Sequence, residues 1–115
     1  MTKAGVQAVT TNADGLGFTH RAVIARFALE RHLPLAGFTR ASVETGALMS
    51  YGVDNISICR RTPVYVDKIL RGATPAELPV EQPTKFEFLI NLRTANALGI
   101  TLASTLLAQA DEVIE

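Results

Sequence analysis

Two short apolar runs on either side of one helix-patterned stretch constrain this chain more than any other feature. Residues 5–10 include Val6, Ala8 and Val9, and residues 35–38 read Leu-Ala-Gly-Phe. Neither run alternates strictly with polar residues, the pattern of a strand covered on both faces in a parallel sheet. Between them, Thr11, Asn12, Ala13, Asp14 and Gly15 are loop formers. A helix then follows, with Thr19 as its expected N-cap and Val23, Ile24, Phe27 and Ala28 recurring at helical spacing. Pro34 ends it. Strand, helix and strand in about 35 residues is the size of a βαβ crossover. The expected fold is therefore α/β, built of βαβ units on a parallel sheet.

The remaining pattern extends this reading. Residues 41–45 suit a short helix stopped by Gly46, and residues 47–51 a third strand ending at Gly52. Asp54 or Asn55 caps a long helix over residues 56–70, with Gly72 just past its end. Pro63 predicts a kink in that helix, or a start near Thr62, because an interior proline removes a backbone bond and clashes with the preceding turn. Pro75, Pro79 and Pro83 make residues 73–84 an extended connector. Phe86, Phe88 and Ile90 alternate with polar positions except at Leu89, so the strand over residues 85–91 is expected to be partly covered on both faces. Two short helices follow, one stopped by Gly99 and one over residues 104–108, and residues 111–115 read as a weakly paired end.

Composition removes several functional classes. Hydrophobic residues are 48% of 115 and charged residues 19%, too apolar for a disordered segment. The net charge is zero, which offers no basic surplus for nucleic acid or anionic lipid. No apolar run reaches the roughly 18 residues of a membrane span. Residues 1–9 lack the apolar core of a signal peptide. Cys59 is the only cysteine, so neither an internal disulfide nor a CxxC metal site can form. His20 and His32, twelve residues apart, would stand about 18 Å apart on one helix and cannot share a metal there. Gly15-Leu16-Gly17 falls short of a dinucleotide fingerprint, and no serine has a nucleophile-elbow context. No catalytic residue, metal or cofactor is expected.

Two polar clusters remain. Thr10, Thr11, Asn12 and Asp14 follow the first strand, and Ser50, Tyr51, Gly52, Asp54 and Asn55 follow the third. Parallel strands carry both clusters to one sheet edge, where ligands of open α/β sheets bind. A carboxylate such as Asp14 or Asp54 suits an ammonium group, the hydroxyls and backbone N–H groups suit an anion, and Tyr51 adds apolar area. The same residues are equally suited to capping helices, with Asp54 serving only as an N-cap.

The stretch GALMSYGVDN over residues 46–55 resembles the SYG segment of TrpX-like ABC transporter substrate-binding proteins. YVDKILRGATPAELPVEQPTKFEFLINLRTANALGIT over residues 65–101 and the ending LLAQADEVIE are similar to the same family's C-terminal part. The resemblance implies the C-terminal lobe, in part, of a type I periplasmic-binding fold. It implies an amino-acid-like, aromatic ligand held between two lobes and presented to a membrane permease, in a periplasmic or membrane-anchored parent. The implied ligand residues are Thr11, Asn12, Asp14, Ser50, Tyr51, Gly52 and Asp54.

Family members are far longer than this chain, so residues 1–115 are expected to form one partial domain, with the helix over 55–71 packing on a missing lobe. Its uncovered apolar side chains then predict a homodimer in which this helix pairs or exchanges. The competing reading is a self-associating interaction domain that binds no ligand, the remnant of a truncated gene.

Overall fold

The structure, a computed structural model, describes residues 5–115, and the first four residues of the N-terminal stretch discussed above lie outside the described residues. Its chain divides into two compact units. One comprises the residues up to Gly52 together with Glu87–Glu115, and the other is Val53–Phe86.

The first unit is organised by a sheet whose five strands lie in sequence order: β1 (Val9–Thr10), β2 (Leu35–Gly37), β3 (Met49–Val53), β4 (Phe86–Asn91) and β5 (Glu112–Ile114). The pairs β1–β2, β2–β3 and β4–β5 are parallel. Helices α1 (Gly15–Thr19) and α2 (Arg21–Glu30) connect β1 to β2, and α3 (Arg40–Glu44) connects β2 to β3. Helices α5 (Leu92–Leu98) and α6 (Ser104–Leu107) connect β4 to β5. The expected α/β architecture of βαβ units is what forms.

Ala25, Ala28, Leu33, Leu35 and Ala47 make one buried cluster, flanked by Val9 and Ile24. Small residues at Ala25 and Ala28 let α2 lie close on the sheet, and a Cβ added at Gly46 would come 3.6 Å from the Ala25 methyl. Leu89 and Ile90 are both fully buried. Adjacent strand positions face opposite sides of a sheet, so β4 is covered on both faces, as the broken alternation at Leu89 suggests.

Several expectations need correction. Thr19 does not cap a helix start. It lies in the last turn of α1, where its hydroxyl donates to the Gly15 carbonyl, and Asp14 is the cap. Val23 and Phe27 do not join the core but are largely exposed. The third strand begins and ends two residues later than the apolar pattern indicates, which brings Gly52 and Val53 inside it. The chain terminus is not loose: the Asp111 amide donates to the Phe88 carbonyl, the Phe88 amide donates to the Asp111 carboxylate, and β5 pairs alongside β4.

Arg40 adds a tie between elements distant in sequence, with its guanidinium 3.2 Å from Glu87 and 2.8 Å from Glu112. Asn91 closes the unit from within. Its buried side chain donates to the Val43 carbonyl at 3.0 Å and accepts from the Thr94 amide, while its own amide donates to the Leu48 carbonyl. Thr94 in turn donates to the Gly46 carbonyl.

The second unit consists of α4 (Asn55–Leu70) and the proline-rich return to β4, which contains a 3-10 turn at Pro75–Glu77. Helix α4 runs from Asn55, not from Thr62, with Pro63 inside it. Tyr65 donates to the Pro79 carbonyl, and Arg61 pairs with Glu81, so one side of the helix is laced to the return segment.

Gly52 supports a direct stability test. A Cβ placed there would lie 2.0 Å from the Phe38 carbonyl oxygen, a backbone atom that cannot swing away. Gly52→Ala should therefore cost about 1–3 kcal/mol in urea melts, as overpacking does. Gly15→Ala meets nothing within 4 Å and should be neutral or slightly stabilising. Equal effects at the two positions would contradict this packing.

Candidate functional site

Because β1, β2 and β3 are parallel, their carboxyl ends share one edge of the first unit. The edge is shaped at β1 by a short sequence of local bonds. The Thr11 amide donates to the Ala36 carbonyl and prolongs the ladder by one residue. The Asp14 amide donates back to the Asn12 carbonyl, turning the chain, and the Asp14 carboxylate accepts from the Gly17 amide at 2.7 Å. Asp14 thereby caps α1 and remains exposed, with further acceptor capacity facing solvent.

Thr11, Asn12 and Asp14 line a shallow depression together with Leu16, His20 and Ile24. The structure thus brings the three polar residues of the first cluster together and adds an apolar wall. Leu16, His20 and Ile24 escape a reading by residue type, since nothing in the sequence shows that α1 and α2 break at His20. The available signal is the Asp14-x-x-Gly17 capping spacing, which starts a helix five residues before Thr19.

The second cluster separates. Ser50 and Tyr51 are neighbours on β3 and face opposite sides of the sheet, with Ser50 only 1% exposed and Tyr51 66% exposed. Tyr51 stands edge-on to Phe88 with ring centroids 6.4 Å apart, a contact that steadies the ring while leaving much of it open. Ser50 is sealed from solvent. Gly52 lets β3 pass against the Phe38 carbonyl at the end of β2, a separation no side chain would permit.

Asp54 belongs to the second unit, where it is 6% exposed. One carboxylate oxygen accepts from the Ser57 amide at 3.1 Å and caps α4, and the other lies 2.9 Å from the Lys85 ammonium. Its amide donates to the Lys85 carbonyl. Asp54 thus clasps the two ends of the 53–86 excursion. The hydrogen bond from Lys85, and then that from the Ser57 amide, hold its carboxyl below the usual aspartate range. No group of three or more His, Cys, Asp or Glu side chains suited to a metal occurs among the described residues. No helix there is long and apolar enough to cross a membrane.

The profile of a protein family described as ABC transporter substrate binding protein matches residues 1–114. The chain belongs to this family. Its members are binding proteins rather than catalysts. Among solved structures, a conserved domain protein from Vibrio cholerae superposes with a TM-score of 0.89 at 29% identity, covering 93% of this chain and 36% of its own. An ABC domain in complex with L-Trp from Streptococcus pneumonia gives a TM-score of 0.89 at 26% identity, covering 98% of this chain and 38% of its own. A ligand-free, open substrate-binding protein with adhesive properties from Clostridium difficile shares the fold, with a TM-score of 0.62 at 22% identity. The chain therefore spans little more than a third of the length of these solved proteins. No curated protein sequence matches it significantly.

The Asp54 clasp sets a pH dependence. Its folded pKa lies below that of the unfolded chain, so as pH falls the unfolded chain binds the proton first. Its stabilisation is complete above the unfolded value of about 4 and disappears as pH drops through the folded value. Asp54→Asn should be less stable than the parent near neutral pH, and the gap should narrow at about pH 3 in denaturant melts. A gap that stays constant or widens in acid would show that the carboxylate charge is not what holds this excursion closed.

Proposed function

We propose that the chain forms one wall of a small-molecule cleft in a solute-binding component of a bacterial ABC importer. The wall is the carboxyl edge of the sheet, with Thr11, Asn12 and Asp14 at one strand end and Tyr51 with Gly52 two strands away. The observation that carries the reading is the family match over almost the whole chain, joined to a likeness over 98% of it to a domain solved with L-Trp. Asp14 supplies an acceptor for an ammonium group, Thr11 and Asn12 supply polar partners, and the Tyr51 ring and Leu16 offer flat and aliphatic surface. An aromatic amino acid is the ligand class that uses all three.

In this reading the second wall and the permease contact come from a longer protein acting outside the cytoplasm, of which these residues are part of the C-terminal lobe. The uncovered side of α4 would then lie against that protein's other lobe. Asp54 contributes by holding the 53–86 excursion in shape, because its carboxylate is already taken by Ser57 and Lys85. Ser50 contributes by packing, because it is buried.

Titration calorimetry against an amino-acid panel tests this. One wall alone should give weak, millimolar-range heats, largest for aromatic amino acids and lost in Asp14→Ala. Micromolar affinity in the parent chain would show that no second wall is needed. Heats that do not depend on the side chain or on Asp14 would remove the ligand reading.

A further inference from the structure

Phe88 is fixed through its own backbone and through both of its neighbours. Its amide donates to the Asp111 carboxylate at 2.8 Å, and its carbonyl accepts from the Asp111 amide at 2.8 Å. Glu87 before it is paired with Arg40, which also holds Glu112. Leu89 after it is fully buried. The half-buried Phe88 ring therefore projects from a backbone with little freedom to shift.

Tyr51 combines a fixed backbone with an open ring. Its neighbours are the sealed Ser50 and the closely packed Gly52, yet Tyr51 itself is 66% exposed. A ring that open ordinarily divides its time among the staggered χ1 wells. The edge of Phe88, with centroids 6.4 Å apart and an interplanar angle of 65°, favours one of them.

We infer that Phe88 is a positioning residue of the proposed ligand edge. It presets the Tyr51 ring for a flat side chain and so sets the preference for aromatic over aliphatic amino acids. This rests on the reading that amino acids bind at that edge, and Phe88 acts there through Tyr51. A ring already in its binding orientation adds no ordering cost. A ring spread over about three wells is competent about a third of the time, and apparent affinity falls by the same factor. Only ligands that use the ring face feel this. The Asp14 contact serves the ammonium group that all amino acids share, and it does not involve Phe88. Asp14, Tyr51, Phe88 and Asp111 all belong to the first unit.

Amide-shift titrations of the 115-residue chain with L-tryptophan and with L-leucine read the ratio of the two affinities. In the parent chain the ratio should favour L-tryptophan. Phe88→Leu, which roughly conserves apolar volume and keeps the strand bonds, should reduce the ratio about three-fold. Phe88→Tyr keeps the ring and should retain the parent ratio. Asp14→Ala should abolish binding of both amino acids. Without any ligand, the Tyr51 ring-proton shifts should move in Phe88→Leu and stay near their parent positions in Phe88→Tyr. An unchanged ratio in Phe88→Leu, or an equal loss in Phe88→Tyr, would overturn the inference and leave the edge as the binding site. Unmoved Tyr51 ring shifts in Phe88→Leu would overturn it whatever the ligands do. Binding of neither amino acid to the parent chain would remove the ligand reading and this inference together.

Discussion

Asn91 is the residue on which the first unit depends most. A buried amide is costly unless its groups are bonded, and here donor and acceptor are both used, on Val43 and Thr94, while the backbone amide bonds Leu48. One residue, through its side chain and its backbone amide, therefore joins the end of α3, the approach to β3, the end of β4 and the start of α5. Without it, the fully apolar pair Leu89 and Ile90 would still favour a buried strand, but nothing polar would set where that strand stops. The position at which β4 ends also decides how β5 pairs beside it.

This organisation leaves the carboxyl ends of β1, β2 and β3 at one edge with their polar residues largely uncommitted to the core. The capping of α1 by Asp14 and the close passage of Gly52 past Phe38 give that edge its shape. That edge presents a carboxylate with spare acceptor capacity, an amide side chain, a hydroxyl and an exposed ring. Family membership assigns the fold to a binding protein, and the depression bounded by Leu16, His20 and Ile24 offers the apolar surface a ligand side chain requires.

The sheet was legible in the sequence because unalternating apolar runs have few other uses in a chain of this composition. The long helix was legible through Asp54 and Gly72, and its interior Pro63 misled about where it begins. Element ends were harder to read. The β3 boundary shifted because Gly52 is tolerated inside a strand by a close backbone approach, a tertiary fact invisible in local pattern. The exposure of Val23 and Phe27 was hidden for the same reason: helical periodicity reports an apolar stripe, not whether another element covers it. Among the candidate ligand residues, residue type showed which could serve a charged ligand. Only the structure separates Asp14, with acceptor capacity to spare, from Asp54, whose two oxygens are spent within its own unit.

The central claim is that ligand contact occurs at the carboxyl edge of the first unit. Amide chemical shifts mapped during titration with millimolar L-tryptophan test it most directly. The account predicts saturating changes at Thr11, Asn12, Asp14, Leu16, His20, Tyr51 and Gly52, with the α4 residues unmoved. Changes centred instead on the groove beside Tyr65 and Pro79, or no changes anywhere at saturating ligand, would contradict it.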